Sequence, residues 1–173
     1  SQAGVICGKK ELIASLRKHQ MYRALRVSKD ITASLQQTLA ALLFSNCAES
    51  VPVVKMLNES PESIGARCLT LFSEISGLAS YKTVVTEDKK LKIEILSAEA
   101  AAGGGTTPEK TLSNPALHIK LGEGAPKNLT LEYISRFMRT SPERVAGYID
   151  SDSYILNLRT VFDDETPKIA RAM

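Results

Sequence analysis

Ser60-Pro61-Glu62-Ser63-Ile64-Gly65-Ala66-Arg67-Cys68-Leu69-Thr70-Leu71-Phe72-Ser73-Glu74-Ile75-Ser76-Gly77 is the stretch from which the fold is read. Serine, proline and glutamate in that order supply an N-cap, a first helical residue that needs no N–H partner, and an acid at the positive end of a helix dipole. Ile64, Cys68, Leu71, Phe72 and Ile75 then recur at helical spacing and mark the face that turns inward. Gly77 is expected to end the helix in a left-handed conformation.

Working upstream, Val51 to Leu57 reads as a short helix with Pro52 near its start. Before it, Ile31, Leu35, Leu39, Leu42 and Leu43 line one helical face, capped by Ser28 or Asp30 and ending near Cys47. From Lys9 to Val27 a further helix is expected, with Leu12, Ile13, Leu16 and Leu25 between cations. Downstream the period changes to two. Tyr81 to Thr86 and Leu91 to Ile95 read as two short strands joined by the charged turn Glu87-Asp88-Lys89-Lys90. Gly103-Gly104-Gly105 sits in a small-residue stretch that reads as a linker. Beyond it come a strand from Ala116 to Leu121 and a helix from Leu129 to Met138. Ser141-Pro142-Glu143 opens a short helix through Ile149, Tyr154 to Leu158 is a strand, and the tail from Asp163 to Met173 is expected to fray.

The chain has 173 residues, 43% hydrophobic and 24% charged, enough to build a packed core. Aromatics are 5% and tryptophan is absent, which disfavours a carbohydrate cleft or a base-stacking platform. No apolar run approaches bilayer length, and neither a membrane span nor a secretion signal is expected. Cys7, Cys47 and Cys68 lack metal-ligand spacing, so a reducing compartment, cytoplasmic or nuclear, is the expectation. No metal or cofactor motif is present. The net charge of +3 is uneven: residues 1–29 carry Lys9, Lys10, Arg17, Lys18, Arg23, Arg26 and Lys29 against Glu11.

The order helix, helix, turn, helix, hairpin over residues 30–97 resembles the winged helix-turn-helix superfamily. The resemblance is carried by Val53-Val54-Lys55-Met56-Leu57, by Asn58-Glu59-Ser60-Pro61-Glu62-Ser63-Ile64, and by the hairpin tip at Glu87 to Lys90. A shorter echo runs from Leu129 to Leu158, with the second Ser-Pro-Glu in the corresponding turn. The implied architecture is α+β and mostly helical. Residues 1–97 would form a basic helix and winged-helix module, 98–110 a linker, and 111–173 a smaller helix-turn-helix-like or winged-helix-like module.

That resemblance implies double-stranded DNA binding, in transcription regulation, replication initiation or segregation, with Pro61–Ile75 in the major groove and 81–96 as the wing. Arg67 would contact guanine, while Ser63 and Thr70 reach bases or phosphate. Lys9, Lys10, Arg17, Lys18, Lys82, Lys89, Lys90, Arg139 and Arg144 would meet phosphates. Arg136 joins Arg139 and Arg144 in a cluster that a phosphate backbone could fit. The alternative is a tandem winged-helix adaptor that binds protein and no DNA. Self-association or a protein partner is expected in either case. An enzyme is not, because neither His19 nor His118 lies in a pattern with a nucleophile and an orienting group.

Overall fold

The hydroxyl of Ser28 accepts the amide of Ile31 at 3.2 Å, and its carbonyl receives the hydroxyl of Thr32 at 3.0 Å. This local capping starts a 16-residue helix where the sequence asks for one. The protein is described by a computed structural model that covers residues 3–44, 50–101 and 111–173. It divides into two units, Ser1–Lys55 and Met56–Met173.

Unit 1 contains α1 (Lys10–Lys18), α2 (Met21–Ala24) and α3 (Lys29–Phe44). The single basic helix expected from Lys9 to Val27 is broken. His19 is extended, with ψ 140°, and its Nδ1 accepts the amide of Met21. No glycine or proline announces that break, because a side-chain nitrogen makes it. None of the described residues of unit 1 is buried. Leu12, Leu16, Leu25, Leu43 and Phe44 all stand exposed. The helix end expected near Cys47 lies outside the described residues.

Helix α4 (Pro52–Asn58) leads into α5 (Pro61–Ser76), the central helix of unit 2. The α5 start is built as expected, with the Ser60 hydroxyl accepting the amide of Ser63 at 3.2 Å. The backbone amide of Glu62, with the Ser60 hydroxyl adding to it, holds that carboxyl below its ordinary range. Ile64, Cys68, Leu71 and Ile75 are buried. Burial pushes the Cys68 thiol up to about 11. Gly77 caps the helix with φ −76°, so the left-handed conformation expected there is not used.

The wing expected over 81–96 is absent. After α6 (Ala79–Tyr81), residues Lys82–Glu87 form a wide helical turn, closed by Asp88 N–H to Thr83 C=O at 2.9 Å. Strand β1 (Leu91–Ala101) instead pairs antiparallel with β2 (Thr111–Leu121), from Leu91 opposite Leu121 to Ala101 opposite Thr111. Val84 and Val85 are β-branched and read locally as strand, but the β1 edge they would need is elsewhere. Tertiary pairing decided the matter. The pairing also corrects the domain division: strand continues to Ala101 and resumes at Thr111, so one sheet spans the boundary placed at 98–110. Gly103 to Gly105 lie outside the described residues.

Helix α7 (Leu131–Thr140) follows, capped by the Thr130 hydroxyl, which accepts the amide of Tyr133 at 3.1 Å. The second Ser-Pro-Glu opens no helix. It makes a turn into β3 (Tyr148–Asp150), which pairs with β4 (Ser153–Leu156). The sheet order is β1-β2-β4-β3, antiparallel throughout. The tail is ordered rather than frayed: α8 (Thr166–Ala172) packs on α5 and buries Ile169, Ala170 and Ala172.

The pleat sorts the sheet into two faces. Ile93, Leu117, Ile119, Tyr154 and Leu156 meet α5, α7 and α8 in the main core. Ala98, Ala116 and Ile155 form a smaller cluster on the other face. Nearby, the Tyr148 hydroxyl donates to the carbonyl of Glu99 at 3.4 Å.

Candidate nucleic-acid interface

Arg67 was the expected base reader, and the structure assigns it a different task. Its side chain is 9% exposed. Nε donates to Asp163 at 3.0 Å, and Nη1 donates to the carbonyls of Leu158 at 2.8 Å and Val161 at 3.0 Å. Nη2 pairs with Glu59. A planar fork with five donors suits that role, tying α5 to the turn before α8. Ser63 spends its hydroxyl on Glu59 and Thr70 spends its own on the Ala66 carbonyl. The outward face of α5 keeps Glu62, Ala66, Leu69, Ser73 and Glu74 exposed and carries no free cation.

Arg159 is a second buried arginine that the sequence reading passed over. It is 6% exposed, and its Nε donates to Asn114 at 3.0 Å. Nη1 donates to the carbonyls of Met56 and Glu59, each at 3.0 Å. The cation therefore sits at the C-terminal end of α4, where helix carbonyls favour positive charge. In sequence it lies between Leu158 and Thr160, and the nearest carboxylate, Asp163, pairs with Arg67 instead, so nothing local signals its burial.

The lysines assigned to the wing scatter. Lys82 is exposed on the wide turn, Lys89 is exposed with φ 49°, and Lys90 pairs with Asp88 at 2.6 Å. The packing around them is tight: a Cβ at Gly124 would lie 1.9 Å from the Asp88 carbonyl oxygen. The backbone of Lys89 and Lys90 is held by the amides of Gly124 and Gly122.

Two sets of cations cluster in sequence and, among the described residues, carry no ion pair. In unit 1, Lys9, Lys10, Arg17, Lys18, Arg23, Arg26 and Lys29 are exposed, and among the described residues none forms an ion pair. In unit 2, Arg136, Arg139 and Arg144 are exposed on and after α7, likewise without ion pairs. Arg144 has φ 52°. Tyr133 and Phe137 stand 58% and 53% exposed on the same helix.

Neither set holds a nucleophile with a base. His118 is 8% exposed, and burial, with Lys120 adding to it, lowers its pKa and keeps the ring neutral. Its Nε2 has no hydrogen-bond partner. Among the described residues, no group of side chains is arranged to hold a metal ion.

A sequence profile of the family described as "L-seryl-tRNA selenium transferase" matches residues 1–162. The chain belongs to this family. An L-seryl-tRNA(Sec) selenium transferase of Carboxydothermus hydrogenoformans is 31% identical over 164 residues, which is 95% of this chain and 32% of the relative. Those of Aliarcobacter butzleri and Sulfurimonas denitrificans are 32% and 31% identical, over 97% and 99% of the chain and 33% and 34% of their own lengths. The chain thus spans about a third of the curated relatives it matches.

Membership in the selenium transferase family overturns several expectations. The family is not a winged-helix one, and its named relatives are enzymes, so the reading as a non-enzyme is corrected. Double-stranded DNA as partner, with its roles in transcription and replication, falls for the same reason: those relatives are named for a tRNA. The non-catalytic adaptor reading falls with it. Among the described residues, no helix is long and apolar enough to cross a membrane.

Proposed function

We propose that this chain is a substrate-handling part of an L-seryl-tRNA(Sec) selenium transferase, an enzyme that transfers selenium to a seryl group carried on tRNA. The observation that supports this is the set of seven exposed, unpaired cations within residues 9–29 of unit 1 in a chain of that family. Phosphate groups are the complement such a surface fits, and each neutralised phosphate releases a counterion. Unit 2 contributes a helix-covered antiparallel sheet whose arginines Arg67 and Arg159 are consumed by internal structure. The transfer chemistry itself is assigned to residues outside the two cation sets, because lysine and arginine side chains held at phosphates act by positioning.

The test is a hybrid in which this chain replaces the matching third of the Carboxydothermus hydrogenoformans relative. Given labelled seryl-tRNA(Sec) and an activated selenium donor, the hybrid should yield selenocysteine after the tRNA is deacylated. Recovery of serine alone, from a hybrid that melts and sediments like the parent enzyme, would overturn the reading.

A further inference from the structure

We propose that the outer face of α7 is a stacking surface for unpaired nucleotides of an RNA, with Tyr133 and Phe137 as the platforms and Arg136 and Arg139 as the phosphate contacts. The proposal rests on the reading that this chain handles a tRNA, and it deepens that reading by naming where single-stranded RNA would lie.

Tyr133 and Phe137 are one helical turn apart, so their rings emerge side by side, with Arg136 next to them on the same side of the helix. Both rings are more than half exposed, although Ile134 and Met138, one position along, are buried at 8% and 2%. A helix that needed these rings for its own packing would turn them inward.

The arginines around them form no ion pair among the described residues. Glu143 is taken by Arg171 at 2.9 Å and Asp152 by Lys120 at 3.0 Å. Glu132 lies at the α7 N-terminus, where its own backbone amide and the Thr130 hydroxyl hold it ionised. Asp150 accepts the Ser151 hydroxyl at 3.2 Å. Arg136, Arg139 and Arg144 are left without carboxylates among the described residues.

Exposed rings beside free guanidinium groups match the chemistry of splayed bases joined by phosphates. Duplex regions offer no base faces to such rings. A protein partner would have to bring its own carboxylates to three arginines at once, whereas RNA carries an anion at every residue. Charge complementarity therefore selects unpaired RNA as the occupant.

The experiment measures binding of a 5′-labelled selenocysteine tRNA transcript to the full 173-residue chain across a salt series. Tyr133→Ala/Phe137→Ala should weaken binding at least about thirtyfold, the loss expected for removing two stacking platforms, and leave the salt slope unchanged. Tyr133→Phe/Phe137→Tyr keeps both rings and should restore affinity. Arg136→Ala/Arg139→Ala should lower the slope of log K against log salt by about 1.4, two contacts at the single-strand value. All positions are exposed, and unchanged melting temperatures would exclude misfolding. Wild-type affinity and slope in the ring and arginine variants, with the parent chain binding the transcript, overturn the α7 surface alone. A parent chain that does not bind the transcript overturns both the surface and the functional reading. Altered sedimentation with unchanged tRNA affinity would make α7 an interface between copies, and would also overturn the proposal.

Discussion

At the scale of single residues, two arginines show how little a charge says about its use. Arg67 lies three positions after Ile64 on a helix whose outward side looked free to read a groove. It instead joins Glu59, Asp163 and two backbone carbonyls of the chain before α8. Breaking a buried pair leaves the partner charge and carbonyls without donors, which costs about 3 kcal/mol. Asp163 is 76% exposed and contributes little of that, so Glu59 and the two carbonyls dominate. Arg67→Ala should therefore lower the unfolding free energy of unit 2 by about 3 kcal/mol in urea titration. Arg67→Lys should recover only part, because an ammonium cannot span the same fork of acceptors. An alanine variant as stable as the parent would show that these contacts do not hold α5 to the chain before α8.

Elements were legible where their signals were local. The Ser60 cap, the buried stripe of α5, the alternation of Leu91, Ile93 and Ile95, and the short helix over α7 all follow from residues within one or two turns. What failed depended on partners distant in sequence. β1 pairs with β2 rather than with Tyr81–Thr86, and no property of either segment encodes that choice. The second Ser-Pro-Glu has the same letters as the first, yet Ser141 extends as the α7 cap and directs the chain toward β3. The candidate site belongs with the local signals. Unit 1's cations were legible by count, and the α7 arginines by clustering. The covered side of α7 was legible too: Leu131, Ile134 and Met138 share one helical face, and with Ile134 and Met138 buried Tyr133 and Phe137 fall outward.

The tail makes the same point and can be tested. Asp163-Asp164-Glu165 suggested a solvated end, but the run caps rather than frays. The Glu165 carboxylate accepts the amide of Phe162 at 3.0 Å, and α8 follows. Ile169 is 5% exposed against the main core. Ile169→Ala should cost about 3 kcal/mol of unit 2 stability by calorimetry, lost burial plus residual cavity. Loss of less than about 0.5 kcal/mol, the range of surface substitutions, would mean that α8 does not seal the core.

Across the whole molecule, the two units differ in what holds them. Unit 2 has a contiguous core drawn from α5, the sheet, α7 and α8. Unit 1 has helices and caps but no buried residue among those described, and Leu12, Leu16, Leu25, Leu43 and Phe44 face solvent. Helices shorter than about 12–15 residues are marginal in water without tertiary packing, which describes α1 and α2. Residues 52–173, cut so that α4 stays whole and Arg159 keeps the Met56 and Glu59 carbonyls, should therefore unfold in one cooperative transition. Its midpoint should match the main transition of the full chain, since stability resides in buried apolar area. A peptide of residues 1–51 should show weak helical circular dichroism and no cooperative melt. Cooperative melting of that peptide at dilutions that exclude association would show that unit 1 buries a core of its own, and a broad, shifted melt of 52–173 would show that unit 2 depends on it.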